Sequence, residues 1–93
     1  MTYQWSDVGD WRSLAELLSQ DDRGNTTQGP VQVVDSRGTM VVNEDGRLIV
    51  ALGVEDLVIV QSRGATLVAR RDSLDKLKGV VEGLSGAGFG DLL

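Results

Sequence analysis

The stretch R-L-I-V-A-L-G-V-E-D-L-V-I-V-Q-S-R-G-A-T-L-V-A, residues 47–69, decides the fold. It holds three apolar runs, 48–52, 57–60 and 65–69, each too short for a helix and rich in Val, Ile and Leu. Gly53, Glu55-Asp56 and Ser62-Arg63-Gly64 interrupt them where a chain must turn. Consecutive runs start about 9 residues apart, a spacing that suits stacked short strands. Working outward toward the N-terminus, 31–34 and 39–42 continue the series, separated by Asp35-Ser36-Arg37-Gly38 and followed by the turn Asn43-Glu44-Asp45-Gly46. Five strands in a row predict a mainly β module.

Two closures fit these strands. An antiparallel meander with one wet face would alternate apolar and polar residues. The runs V-Q-V-V, L-I-V-A-L and L-V-I-V are instead mostly continuous, as strands covered on both faces would be. A short-strand β-helix with small residues at its corners and two flanking helices therefore fits at least as well. No strict hexapeptide repeat decides between them, and on pattern alone both stay open.

The flanks read as helices. Asp10 can cap a helix starting at Trp11, in which Trp11, Leu14, Leu17 and Leu18 form one apolar face and Arg12, Glu16 and Gln20 point elsewhere. That helix should fade over residues 19–22, because Asp21-Asp22-Arg23-Gly24-Asn25 is turn chemistry. Residues 26–30 lead into the strands, with Pro30 placed at the first residue of one, where its missing N–H costs least. After Arg70-Arg71, Asp72 or Ser73 can cap a second helix with the stripe Leu74, Leu77, Val81 and Leu84. Gly79 and Gly83 each cost about 1 kcal/mol against alanine there, so tertiary packing must hold that helix. Gly86, Gly88 and Gly90 end it, and the tail 89–93, apolar at its end, either docks or frays.

Ninety-three residues make one small domain with a modest core and little room for an enclosed active site. There is no run of 18 apolar residues and no charged-then-apolar leader, so no membrane span or signal peptide is expected. The chain has no cysteine, which excludes a disulfide framework and suits a reducing cytoplasm. Fourteen acidic against nine basic residues give a net charge of −5, which disfavours nucleic acid and anionic membrane surfaces as partners. With no histidine either, the usual general base and soft-metal ligands are missing, so any bound metal would be a hard ion held by oxygen. Stacked short strands with open edges, in a chain of high apolar fraction, predict self-association as a two-fold dimer.

Two segments in register resemble one family. Trp5-Ser6-Asp7-Val8-Gly9-Asp10-Trp11 resembles the W-S-D-V-G-x-W motif near the end of the catalytic domain of mannose-1-phosphate guanylyltransferases, the GDP-mannose pyrophosphorylases. Gly53-Val54-Glu55-Asp56-Leu57-Val58-Ile59-Val60 is similar to the G-[LV]-E-D-L-V-V-V segment of their C-terminal region. Gly24-Asn25, Val33-Val34-Asp35-Ser36, Gly46-Arg47-Leu48 and Leu67-Val68-Ala69 match in order, so the resemblance covers nearly the whole chain. It implies that residues 1–22 are the end of the nucleotidyltransferase domain and 23–93 a β-helical C-terminal domain with its terminal helix. The parent reaction it implies joins mannose 1-phosphate to the α-phosphate of GTP, giving GDP-mannose and pyrophosphate.

In that family the aspartate of W-S-D-V-G is one of two carboxylates holding the catalytic Mg²⁺, here Asp7. A hard cation bridging phosphate oxygens offsets the charge of the transition state. The resemblance also places the glycine-rich nucleotide loop, the second metal aspartate and the sugar-phosphate lysine in an N-terminal domain that this sequence does not contain. The implied partners are therefore that nucleotidyltransferase domain and a second copy of the chain. The isolated chain is expected to have no catalytic residues of its own, no cofactor and no transferase activity.

Each feature has a plainer reading. By side-chain chemistry alone Asp7 is a turn or cap carboxylate, and Trp5 and Trp11 are packing residues. Glu55-Asp56 is a solvated turn, since adjacent residues on a strand point to opposite faces. Gly86-Ala87-Gly88 is a helix stop, with no strand before it and no lysine after it to make a phosphate loop. A freestanding β-rich interaction or regulatory module is the alternative to the enzyme-domain reading, and an enzyme in its own right is the least supported.

Overall fold

The apolar runs do not meander; they coil. A computed structural model describes Leu18 and residues 20–88, with six strands and a helical C-terminal part. The strands are β1 (Thr26–Gln28), β2 (Val31–Val34), β3 (Met40–Asn43), β4 (Ile49–Leu52), β5 (Leu57–Ser62) and β6 (Ala65–Arg70). The first five alternate between two sheets, so that β1, β3 and β5 lie side by side in one and β2 and β4 in the other, all parallel. Val31 lies beside Ile49 and Met40 beside Val58, so each full turn takes 18 residues, two strand-and-corner units of nine. This is the spacing visible in the sequence. The first turn is shorter, Thr26 to Met40, because Gly29-Pro30 makes the corner that residues 44–48 make one turn later.

The coil ends where Arg63 (φ 57°) and Gly64 (φ 78°) make a two-residue turn. Two consecutive left-handed residues match the twist of antiparallel strands. β6 therefore folds back on β5, pairing from Ser62 with Ala65 to Leu57 with Arg70. It is the one antiparallel strand pair among the described residues, and it completes the larger sheet in the order β1-β3-β5-β6.

Two apolar clusters hold the coil. Val41 and Ile59 of the larger sheet point inward against Ala51, Val31, Val33 and Ile49 of the smaller. On the outside of the larger sheet, Met40, Val42, Val58, Val60 and Leu67 are covered by Leu74 and Leu77, with Leu18, Val81 and Leu84 beside them. β3 is accordingly buried at all four positions, the two-sided burial that its continuous apolar run predicts. β4 is not. Val50 and Leu52 point outward and are exposed, so its unbroken I-V-A-L misstates its environment.

Other expectations need adjustment. Residues 26–28 are a strand rather than a lead-in; Thr-Thr-Gln is too short and polar to show as one. Pro30 sits in the corner before β2, and its carbonyl accepts bonds from Ile49 N (3.1 Å) and Asn43 Nδ2 (3.0 Å). At the C-terminal end a 3-10 helix, Arg71–Lys76, leads into α1, Leu77–Gly86. Neither Asp72 nor Ser73 caps it, because the helix already starts at Arg71 with Arg70 in the cap position, and both candidates fall inside its first turn, where Asp72 meets the Arg70 guanidinium at 2.8 Å. The stripe Leu74, Leu77, Val81 and Leu84 does face the core. The helix predicted from Trp11 lies outside the described residues apart from Leu18 and Gln20, of which Gln20 forms a bridge to Thr26.

Candidate functional site

The residue singled out for metal, Asp7, lies outside the described residues, as do Trp5 and Trp11. What the structure brings together is a stack of three corners on one side of the coil. Gly24, Gly38 and Asp56 occupy equivalent places in successive turns, since Thr26 stacks on Met40 and Met40 on Val58. All three are left-handed, with φ of 78°, 59° and 55°. Asp35 and Gly53 are a second equivalent pair, at 52° and 66°. Glycine reaches this region freely, and aspartate tolerates it better than most residues. At Gly38 a Cβ would lie 2.6 Å from Asp56 Oδ1, so a side chain there would push that exposed carboxylate aside in addition to straining the backbone.

Side chains tie the corners into a ladder. The Asn25 amide donates to Asp21 Oδ2 (2.9 Å) and to the Ser36 carbonyl (2.8 Å), while its oxygen accepts from Thr39 N (3.1 Å). Ser36 Oγ lies 2.9 Å from the Val34 carbonyl and 3.3 Å from that of Ala51, and accepts from Val54 N at 3.1 Å. Arg71 reaches back from the 3-10 helix to donate to the Gly38 carbonyl (3.0 Å), with Asp56 Oδ1 at 3.8 Å. On the other side of the coil Asn43 does the same work, donating to Pro30 O and Arg47 O and accepting from Asp45 N. Buried backbone groups at corners need partners, and these side chains add to backbone bonds between turns such as Gly53 N to the Val34 carbonyl (2.9 Å) and Asp56 N to the Arg37 carbonyl (2.9 Å).

The first two corners enclose an open cleft of about 240 Å³ lined by Asp21, Asp22, Arg23, Asn25, Val33, Asp35 and Ser36. Its polar groups serve the fold. The Asp21 carboxylate accepts from Arg23 N (2.8 Å), Asn25 N (2.9 Å) and the Asn25 side chain. These bonds, the Asn25 side chain foremost, hold its pKa below the usual carboxylate value. Arg23 and Asp35 face each other across 4.0 Å of solvent-exposed surface, a weak pair. Among the described residues no group of three His, Cys, Asp or Glu comes together to hold a metal. The cleft contains no nucleophile beside a base.

Glu55 and Asp56 lie at the third corner, not on a strand. Both are exposed, and Arg37 bridges to Glu55 through the backbone. Gly86 closes α1, and Gly88, at φ 97°, follows its last turn, so this glycine run is a helix stop. Sequence reasoning missed the ladder residues Asn25, Ser36 and Asn43 as buried groups. Each stands in a turn cluster, where such residues are normally solvated, and their polarity hid their role.

The corners and paired sheets define a short parallel β-helix whose polar side chains bond its own corners rather than form a reaction centre. The chain belongs to the MannoseP isomerase/GMP-like beta-helix domain family, whose model matches residues 29–84. It is 40% identical over 88 residues to the alginate biosynthesis protein AlgA of Pseudomonas putida, covering 95% of this chain and 18% of that protein. Against a mannose-1-phosphate guanylyltransferase of Escherichia coli it is 36% identical over 88 residues, covering 95% and 19%. A solved structure titled mannose-1-phosphate geranyltransferase, from Thermus thermophilus, superposes with a TM-score of 0.68 at 32% identity. That match covers 85% of this chain and 24% of the other. The chain thus spans under a fifth of the length of these curated relatives. No described helix is long and apolar enough to cross a membrane.

Proposed function

We propose that this chain is the C-terminal β-helical part of a mannose-1-phosphate guanylyltransferase whose full-length form makes GDP-mannose from GTP and mannose 1-phosphate in the cytoplasm. Its role is assembly and interdomain packing. One observation carries this reading: a relative of that name matches 95% of this chain with less than a fifth of its own length. The described residues support it, since their polar groups are engaged in holding corners together. On this reading residues 1–22 close the nucleotidyltransferase domain and 23–93 form the β-helical domain. Asp7 then serves as a Mg²⁺ carboxylate only in the intact enzyme, where a second carboxylate and the nucleotide loop complete the site. The partners are the nucleotidyltransferase domain and a second copy of the chain.

Purified 93-residue chain, given GTP, mannose 1-phosphate and Mg²⁺, is expected to form no GDP-mannose above the level of an Asp7→Ala blank. Phosphoryl transfer depends on positioning, and a single carboxylate cannot position the triphosphate. Mg²⁺-dependent product that Asp7→Ala removes would refute the reading and make the chain an enzyme by itself.

A further inference from the structure

The corner of residues 44–48 carries a chemistry that takes no part in the assembly role proposed above. Asp45-Gly46 is the one Asp-Gly step in the sequence, and there is no Asn-Gly. An aspartate carboxyl beside a glycine amide can close on it, because glycine presents no Cβ to hinder the approach. The structure leaves this step open. Gly46 is exposed, and nothing lies within 4 Å of where its Cβ would be. Among the described residues its N–H has no acceptor, so no hydrogen bond must break before the nitrogen reacts. Asp45 is half-buried and held on one side only. Its Oδ2 accepts from Gly64 N at 2.9 Å, while no donor among the described residues reaches Oδ1. The comparable Asp-Ser steps are closed. Ser36, after Asp35, is 1% exposed, and Ser73, after Asp72, lies within the 3-10 helix Arg71–Lys76.

We propose that Asp45 is a modification site: it isomerises to isoaspartate, and the corner then becomes a substrate for isoaspartyl carboxyl methyltransferases, repair enzymes that use S-adenosylmethionine. The Gly46 nitrogen bonds to Asp45 Cγ, and the carboxyl hydroxyl leaves as water with the amide proton, giving a five-membered succinimide. Water then opens the ring at one of its two carbonyls. Opening at Cγ restores aspartate. Opening at the α-carbonyl leaves the main chain running through Cβ and Cγ, one carbon longer, with a free α-carboxylate. That carboxylate is the group the methyltransferase esterifies. Ring closure and opening need only water, so the change depends on access and geometry alone. It bears on the fold because Asp45 is a tie. Its Oδ2 joins the corner to the Arg63-Gly64 turn, and its N–H donates to Asn43 Oδ1 (3.1 Å). Asn43 is the buried side chain that also holds Pro30 O and Arg47 O. A longer main chain here takes the carboxylate away from Gly64 N and frees the Arg63-Gly64 turn from the corner.

Ageing the folded 93-residue chain at neutral pH in heavy-oxygen water tests this. Methyl acceptance from S-adenosylmethionine, catalysed by a purified isoaspartyl methyltransferase, should rise with time. Digestion and mass spectrometry should place the incorporated heavy oxygen in the peptide spanning Asp45-Gly46. Asp45→Glu, which would have to close a larger ring, should abolish both signals. Gly46→Ala, whose added Cβ meets no atom within 4 Å but shields the nitrogen, should cut them several-fold. In the isoaspartate form, separated by chromatography, the Gly64 amide resonance should move further than that of Thr39, since only Gly64 loses its acceptor. Three results would overturn the proposal: an aged chain that accepts no methyl group, heavy oxygen at Asp35 or Asp72 in place of Asp45, or a Gly64 resonance unmoved in the isoaspartate form.

Discussion

Gly29→Ala is expected to lower folding stability by about 2–4 kcal/mol, combining the cost of a left-handed side chain with that of an overpacked contact. Gly29 has φ 86°. A Cβ placed there would sit 2.0 Å from the backbone oxygen of Asn43, and 3.1 Å from its carbonyl carbon. The contact is with backbone, so no rotamer change relieves it. Relief requires moving the Gly29-Pro30 corner off β3, which would pull the Pro30 carbonyl away from Ile49 N and Asn43 Nδ2. The short first turn of the coil depends on that corner. Gly46→Ala is the control: it too has positive φ (80°), but nothing lies within 4 Å of its Cβ position, so only the backbone cost remains. Denaturant unfolding should place the Gly29→Ala midpoint well below that of Gly46→Ala. Equal midpoints would show that the two corners do not approach as described.

Asn25→Leu should cost a similar amount, about 2–4 kcal/mol, for a different reason. Asn25 is 3% exposed, and leucine fills much the same space without any hydrogen-bonding group. The Ser36 carbonyl and the Thr39 N–H then lose their bonds to this side chain inside the protein, and each orphaned group costs about 1–3 kcal/mol. Asp21 also loses the bond that contributes most to lowering its pKa. Hydrogen exchange gives the sharper readout: the Thr39 amide should lose protection while those of β5 keep theirs under native conditions. Asp22→Ala, exposed on the same turn, should change stability by less than about 0.5 kcal/mol. An Asn25→Leu chain as stable as Asp22→Ala would remove the ladder from the account of what holds the corners.

Five of the six strands and their spacing are legible because Val, Ile and Leu runs repeat at the interval the coil needs, whereas β1, Thr-Thr-Gln, carries no such run. The apolar run 31–34 coincides with β2, and the runs 48–52, 57–60 and 65–69 match β4, β5 and β6 to within two residues. The choice of coil over meander is not legible in the apolar pattern and comes from the family resemblance, which implies the β-helix that the strand pairing shows. Both present short apolar strands with turns between, and what separates them is which strand pairs with which, a long-range property. β4 shows the limit most clearly, since an apolar residue reads alike whether it faces the core, as Ala51 does, or solvent, as Leu52 does. The C-terminal stripe was readable from Leu74, Leu77, Val81 and Leu84, but its start was not. The chain passes from β6 straight into a 3-10 turn at Arg71, ahead of both cap candidates, Asp72 and Ser73.

The candidate site divides in the same way. The turn residues Asp21–Asn25 and 43–46 were recognisable from composition, and their left-handed glycines followed. That Asn25, Ser36 and Asn43 turn inward was not, because a buried polar group depends on partners in the next turn of the coil, 11 to 15 residues away for Asn25 and Ser36. Asp7 stood out by resemblance to a motif, and its role belongs to the proposal.

The central claim, that this chain is the packing part of a guanylyltransferase, is tested most directly by a graft. The matching C-terminal segment of the E. coli mannose-1-phosphate guanylyltransferase, 36% identical to this chain, would be replaced by residues 23–88. The hybrid should fold and form GDP-mannose within about tenfold of the parent rate, because interfaces tolerate substitutions that keep burial and shape. The same hybrid carrying Gly29→Ala and Asn25→Leu should lose most of its activity together with its thermal stability. A well-folded hybrid without activity, or a parent enzyme that keeps its full rate and stability when the segment is deleted outright, would contradict the account.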